Sequence, residues 1–384
     1  MTSGASHRTG IVVVTWNFPP RRGGMETLIY GLCRNLKKKY GVSVITAYAP
    51  SAGDEDWICR APRPGLVRFF VCAGWRALRV LSARREVKIV LGGSALVAPL
   101  VVFLAKAFGR KAAVLVHGSD VIYPNWLYQQ LCVQWLRKCD HVIANSRYTA
   151  ELARAKQVPP MALSVIPPGI DTSAYQGCLK GAKHSFGLDG KRVILCAGRL
   201  AGRKGIPEFV EKCLPKIVAE VPEACLVIVG GNPKDSLIHR EDVLGRLNAV
   251  IQRYGLEPHV RLAGWLEGDD LIRMYHACDL IVLPVLPAKN DVEGFGIVLL
   301  EAAAARKPCV ATRLGGIPDA VEHEKSGILV DPADYEEMTR SIVRLLRDDE
   351  LRRTMGEFAR ARAAQGFGWE TIIKRYEGLF DSLR

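Results

Sequence analysis

The chain lacks the cysteine spacing that marks a metal site or a disulfide scaffold. Its 11 cysteines are scattered, odd in number and never arranged as C-x-x-C, so neither zinc nor a disulfide framework is expected, and reduced, mostly buried thiols suit a cytoplasmic protein. A long unbroken apolar run is missing too. The longest, Ile89 to Ala105, is interrupted by Gly92, Gly93, Ser94 and Pro99, which suits a buried strand, a turn and a helix better than a membrane span. The opening stretch, Met1 to Gly10, is small and polar without the charged-then-apolar order of a secretion signal, so a soluble protein is expected. Repeats and low-complexity tracts are also lacking. With 49% hydrophobic and 24% charged residues, the composition is globular rather than fibrous or disordered.

Acidic residues are scarce in one half only. Residues 1–180 carry 24 Lys and Arg against 9 Asp and Glu, an excess of 15 positive charges, whereas the remainder carries 29 against 30. Such a half attracts nucleic acid, an anionic membrane or a phosphorylated substrate, and charge alone does not choose among them. The clusters Arg34 to Lys39, Arg76 to Lys88 and Arg110-Lys111 alternate with apolar stretches holding Phe69, Phe70, Val71, Trp75 and Leu78. That mixture suits an interfacial surface, although any one cluster reads first as a solvated helix face.

At 384 residues the chain is long for one compact domain, and two units of similar size are expected. The first half alternates β-branched runs with helical patterns, the mark of a parallel sheet covered by helices. Strands are expected at Ile11–Thr15, Val42–Ala47, Lys88–Leu91, Ala112–Val116, His141–Ala144 and Leu163–Ile166. After Pro167-Pro168-Gly169 the pattern restarts, with strands at Arg192–Ala197, Cys225–Val229, His259–Leu262, Leu280–Leu283, Pro308–Ala311 and Gly327–Val330. Residues 167–169 and the polar stretch from Thr172 to Gly190 mark the linker. From Trp369 to Leu383, the residues Ile372, Ile373, Tyr376, Leu379 and Phe380 recur at three- and four-residue spacing, so a final helix packs one face onto something, back across the linker.

Each half opens with a strand running into a glycine-bearing turn and a helix, the place where doubly wound sheets bind ligands. In the first, Gly23 and Gly24 precede a helix from about Thr27; they let a ligand approach the backbone, and the helix start favours an anion. In the second, Arg199 and Lys204 lie five apart within Gly198-Arg199-Leu200-Ala201-Gly202-Arg203-Lys204-Gly205, where a guanidinium and an ammonium can grip one pyrophosphate. The order is neither GxxxxGK[ST] nor GxGxxG. The sharpest segment is Asp291-Val292-Glu293-Gly294-Phe295-Gly296-Ile297-Val298-Leu299-Leu300-Glu301. Glu301, in an apolar helix, is costly to bury unless partnered, and a pair of ribose hydroxyls would satisfy it. Glu293, in the preceding loop, is free to accept from a sugar, and the Gly294–Ile297 amides suit phosphate or hydroxyl oxygens. Last, His117-Gly118-Ser119-Asp120 closes a strand at the ligand edge of the first sheet. A lone histidine is usually structural, and it is the strand end with Asp120 nearby that singles out His117.

Together these segments, with Pro168-Gly169-Ile170-Asp171 and Phe367-Gly368-Trp369, resemble the GT-B glycosyltransferases of family 4 over nearly the whole chain. The resemblance implies an α/β fold of two Rossmann-like doubly wound domains facing across a cleft. Residues 1–175 would bind the acceptor, 176–366 the nucleotide sugar, and 367–384 would form a helix packing back on the first domain. It implies retaining, metal-independent transfer without a cofactor. Arg199 and Lys204 would take the diphosphate, Glu301 the ribose, and Glu293 with Gly294, Phe295, Gly296 and Ile297 the sugar. The turn at Gly23 and Gly24 would also touch the donor, and the acceptor would lie by Gly24, with His117 near the reacting centre and Asp120 beside it. Two cations would stabilise the phosphate charge as the glycosidic bond breaks. Within the family the segments look closest to GDP-mannose-dependent phosphatidylinositol-mannoside mannosyltransferases, which makes the expected product a cell-envelope glycoconjugate. UDP-sugar enzymes of polysaccharide or lipopolysaccharide synthesis share much of the same sequence and stay open. One departure is Arg203, where the family often has an acid: an extra cation for phosphate, or one that sits in water. The expected partners are a nucleotide sugar, a glycan or lipid-linked acceptor and an anionic membrane on its cytoplasmic face, with no nucleic acid; the oligomeric state is not legible. The rival from another class is a non-catalytic membrane- or RNA-binding protein, against which the intact Arg199, Lys204, Glu293 and Glu301 argue.

Overall fold

The computed structural model describes residues 9–47, 55–61, 65–177, 181–231 and 242–383. The polar start read above, residues 1–8 of it, lies outside them. The chain divides into two compact units, one of Met1–Gly169 with Trp369–Arg384 and one of Ile170–Gly368.

The first unit holds β1 (Gly10–Thr15), β2 (Gly41–Thr46), β3 (Ile58–Arg60), β4 (Val87–Gly92), β5 (Lys111–Val116), β6 (His141–Ala144) and β7 (Leu163–Val165). They form one parallel sheet in the order β3-β2-β1-β4-β5-β6-β7. Its central strands are short, apolar and buried apart from Lys88 and Lys111 near their starts, as strands covered on both faces must be. Side chains alternate between two cores. Val12 and Val14 face the helices Leu66–Ala83 and Ala98–Ala107, while Ile11 and Val13 face Gly24–Leu36 and the final helix. That final helix, Trp369–Ser382, buries Ile372, Ile373, Tyr376 and Phe380, and its Lys39–Glu377 ion pair spans 2.8 Å. A Cβ placed at Gly31 or Gly169 would stand 2.4 or 2.3 Å from the Trp369 ring, so the indole sits against bare backbone on both sides.

The second unit repeats the plan with β8 (Arg192–Ala197), β9 (Ala224–Val229), β10 (Val260–Gly264), β11 (Leu280–Leu283), β12 (Cys309–Thr312) and β13 (Gly327–Val330). Its parallel order is β10-β9-β8-β11-β12-β13. Val193, Leu195 and Ala197 face one core, Ile194 and Cys196 the other. In both units strand order reverses beside the first strand, between β1 and β4 and between β8 and β11. These are the crevices where a doubly wound sheet receives a ligand.

Residues 170–175, expected to close the first domain, lie with the second unit. Ile170 N donates to Phe367 O at 2.8 Å, and Tyr175 packs edge-on against Tyr275 with centroids 6.0 Å apart. Of the polar stretch read as a linker, residues 178–180 lie outside the described residues, and Lys183 is held in the second unit, its Nζ lying 2.8 Å from Asp279 Oδ2. Among the described residues no helix is long and apolar enough to cross a membrane.

Candidate active site

In the second unit the loops after β8, β11 and β12 are laced together by backbone. Arg203 O accepts from Leu286 N at 2.8 Å, and Glu293 O accepts from Gly316 N at 2.9 Å. Gly315, at φ 59°, lies so close that a Cβ would stand 2.4 Å from Glu293 O; only glycine takes this conformation and this contact without strain.

The lacing brings four charged side chains into one buried cluster. Lys204 Nζ is 2.6 Å from Glu293 Oε2. The Arg203 guanidinium bonds the same oxygen, and its Nε stands 2.9 Å from Asp291 Oδ2. All four are only 9–11% exposed. Burial by itself would raise the Glu293 carboxyl, but Arg203 and Lys204 outweigh it and hold the group well below the usual carboxylate range. Burial, helped by Arg203, pulls the Lys204 ammonium down against the opposing pull of Glu293. Glu293 is therefore the fixed anion of the cluster and Lys204 its most labile cation. Arg203, expected to meet phosphate or water, is instead buried against carboxylates.

The other residues singled out in this unit are placed separately. Arg199 is half-buried in the loop after β8 and is not among the ion-paired side chains of the cluster. Gly294, Phe295 and Gly296 lead from Glu293 into the helix Ile297–Ala304. The Phe295 ring is core, edge-on to Phe367 at 5.8 Å, so its backbone is what remains for a ligand. No side chain caps this helix, whose N-cap is Gly296 at φ 84°, and its first amides keep their affinity for an anion or hydroxyl.

Glu301 is not without a protein partner, as the apolar helix had suggested: Tyr275 Oη donates to its Oε2 at 2.5 Å. Burial raises the Glu301 carboxyl, with the Tyr275 bond pulling the other way. Its link is to Tyr275 and not to the Glu293 cluster. Should Glu301 hold a ribose, as the sequence resemblance implies, Glu301→Gln, which keeps an acceptor for Tyr275, would weaken nucleotide-sugar binding about tenfold, since a hydrogen bond to a charged group contributes about 1.5–3 kcal/mol. Glu301→Ala should in addition lose about 1–3 kcal/mol of stability by orphaning the buried Tyr275 hydroxyl. Calorimetric titration and thermal melts check both, and unchanged affinity in both variants would remove Glu301 from the donor site.

In the first unit, Gly23 is the N-cap and Gly24 the first residue of the helix Gly24–Leu36, which starts three residues earlier than its sequence pattern suggests. Glu26, in the first turn, is buried and accepts from Asn17 Nδ2 at 2.8 Å. His117 Nε2 lies 2.8 Å from Gly93 O. A carbonyl only accepts, so Nε2 carries a proton; Nδ1 is buried and has no hydrogen-bond partner among the described residues. Asp120 does not reach this ring. Its oxygens take the backbone amides of His117 at 2.8 Å and Ala95 at 3.0 Å, so it holds the loop that presents the histidine.

Two family models match the chain: one described as Glycosyltransferase Family 4 over residues 22–174, and one described as Glycosyl transferases group 1 over residues 182–362. The chain belongs to glycosyltransferase family 4. It is 29% identical to a GDP-mannose-dependent alpha-(1-6)-phosphatidylinositol monomannoside mannosyltransferase of Mycolicibacterium smegmatis, over 97% of this chain and 99% of that one. A monoacylated-substrate counterpart from Corynebacterium glutamicum is 27% identical over 98% and 99%. Among solved structures, HepE of Anabaena in complex with UDP superposes with a TM-score of 0.77 at 20% identity, over 97% of this chain and all of that one. Sucrose-phosphate synthase of Thermosynechococcus elongatus does so at 0.79 and 23%, over 98% and 99%. These structural likenesses establish the GT-B fold.

Several residues of this family 4 glycosyltransferase escape a reading by motif. Besides Gly23-Gly24, the sequence holds three Gly-Gly pairs, at 92–93, 230–231 and 315–316. The first two lie at the ends of β4 and β9, and the third in the loop after β12. A Cβ on Gly93 would stand 2.3 Å from Thr15 Oγ1, and one on Gly231 would stand 2.7 Å from Trp265 Nε1. Paired glycines at or just after a strand run were the available signal. Tyr275 carried none, and Asp291 was visible only as part of its segment, because their partners are distant in sequence or on another loop.

Proposed function

We propose that this glycosyltransferase transfers mannose from GDP-mannose, with retention and without a metal, to a lipid-linked or glycan acceptor in cell-envelope synthesis. The observation that carries the reading is Lys204 buried beside an ionised Glu293: a compact cation for a diphosphate next to an acceptor for sugar hydroxyls. The near full-length likeness to mannosyltransferases named for GDP-mannose supports the choice of donor. Lys204 and Arg199 take the diphosphate, and their charge stabilises the leaving phosphate as the glycosidic bond breaks. Glu293 and the backbone from Gly294 to Ile297 hold the sugar, and Glu301 the ribose. The acceptor lies in the first unit by Gly24 and His117, whose unpartnered Nδ1 faces an acceptor hydroxyl, with Asp120 fixing the loop.

The test is a thermal-shift panel of GDP, UDP and ADP with their sugar conjugates, because a ligand of the native state raises its melting temperature. GDP-mannose should give the largest shift, undiminished by EDTA. A larger shift with a UDP-sugar would overturn the donor, and loss of the shift in EDTA would overturn metal independence.

The acceptor reading extends to the membrane. On the helix Leu66–Ala83, Phe69, Ala73, Ala77 and Leu81 face the core, while Val67 (78% exposed), Val71 (68%) and Trp75 (51%) face out. The Arg79 guanidinium lies 3.5 Å over the Trp75 ring. Aromatic and basic groups together suit a headgroup layer of anionic lipid on the cytoplasmic leaflet. Vesicles containing phosphatidylglycerol should retain the protein, 0.5–1 M salt (on the order of a tenfold shorter screening length than dilute buffer) or purely neutral lipid should release it, and Trp75→Ala should weaken it. Binding indifferent to salt and lipid charge would overturn the membrane reading.

A further inference from the structure

A diphosphate that takes Lys204 removes that cation from Glu293. Were Lys204 the only partner, Glu293 would be left ionised, buried and alone, a state that folded proteins avoid at considerable cost. Arg203 prevents this, because its guanidinium already bonds the same Oε2 that Lys204 leaves. The guanidinium is itself aimed by Asp291, 2.9 Å from Nε. Asp291 is set in place by an antiparallel bridge to Ala288, across a turn in which Asn290 adopts φ 64°. The Arg203 backbone is fixed by Leu286 N. Charge counting gives the same answer. Two carboxylates and two cations cancel, whereas two carboxylates facing one lysine would repel an incoming diphosphate.

We propose that Arg203 is a positioning residue for donor binding: clamped by Asp291, it holds Glu293 so that Lys204 can exchange its carboxylate partner for the donor's diphosphate. The inference rests on the donor site proposed above. The charged groups facing Glu293 among the described residues are Arg203, Lys204 and, through Arg203, Asp291; Gly315 and Gly316 from the loop after β12 bring backbone only.

The test is calorimetric titration of GDP-mannose between pH 8 and 5 into wild type, Arg203→Met, Arg203→Lys, Glu293→Gln and the double variant Arg203→Met/Glu293→Gln. Wild-type affinity should be flat over this range because Glu293 stays ionised. Arg203→Met should bind about 10- to 100-fold more weakly, and weaken further toward pH 5, because losing the guanidinium lets burial raise the Glu293 carboxyl. Arg203→Lys should recover part of the affinity and most of the flat profile. In the Glu293→Gln background, removing Arg203 should cost little more, the mark of two residues acting through each other. Equal weakening in both backgrounds with no new pH dependence would mean direct phosphate contact and would overturn the proposal, as would unchanged affinity. Should Arg203→Met fail to fold, Asp291→Asn gives the same reading, with a smaller loss and the same acid-side decline expected. If wild type binds no GDP-, UDP- or ADP-sugar, the donor site falls and the inference with it; wild-type binding with unmoved variants overturns the inference alone.

Discussion

Lys204→Ala is expected to lower kcat by about 10²–10³-fold, the range seen when one preorganised charge-stabilising donor is removed from an active site, while leaving the melting temperature nearly unchanged. The asymmetry follows from the buried cluster. Truncating one member of a buried ion pair usually destabilises strongly, because the other charge is left alone. Here Glu293 keeps the Arg203 guanidinium on the same oxygen, so the fold loses one of two cations and no charge is orphaned. The proposed donor site has no such reserve: the diphosphate would gain charge as the glycosidic bond breaks, with Arg199 alone left to meet it. Initial rates of GDP release paired with thermal melts check both halves. A variant with normal turnover would remove the phosphate role of Lys204, and a collapse in stability would show that Arg203 does not shield Glu293.

Sequence legibility followed locality. The long β-branched runs such as Ile11–Thr15 and Cys225–Val229 are strands because their side chains fill cores on both faces, and each is visible in a few consecutive letters. β3 is three residues, Ile-Cys-Arg, too short for any periodicity; it is a strand because Val44 to Thr46 of β2 offer it a free edge. Residues 170–175 were expected to close the first domain, yet Tyr175 finds Tyr275 about a hundred positions on. The chemistry-bearing segments obeyed the same rule. Gly198 to Gly205 and Asp291 to Glu301 were readable as units, since each is one loop and one helix start. Their partners were not. Arg203 meets Asp291 and Glu293 only because β8 and β11 are neighbours in the sheet, and Glu301 meets Tyr275 across 26 positions of sequence, at the same core. A sequence displays a residue's own chemistry, whereas its pKa and its pairing are properties of what the fold sets against it.

The second large effect belongs to backbone. Gly230→Ala is expected to destabilise the second unit by about 3 kcal/mol or more, since a strained backbone conformation and a buried clash each cost about 1–3 kcal/mol. Gly230 closes β9 at φ 138°, and a Cβ there would stand 1.9 Å from Gly198 O, closer than any real contact. Relief by movement is blocked on three sides. Gly230 N donates to Gly264 O at 2.7 Å, Gly198 N to Val229 O at 2.9 Å, and Leu200 N to Gly231 O at 3.0 Å. The loop that must yield is the one carrying Arg199 and Lys204, so the damage runs from packing into function. Thermal melts should fall by roughly 6–12 °C for a unit of this size, and GDP-mannose affinity should fall with them. Gly264→Ala is the informative contrast: it also has positive φ, at 66°, but nothing within 4 Å of its Cβ, so it bears the conformational strain without the clash and should lose only about 1 kcal/mol. Equal losses at the two positions would mean that the close approach to Gly198 contributes nothing, and that the β8 loop is set by something other than the bare backbone of β9.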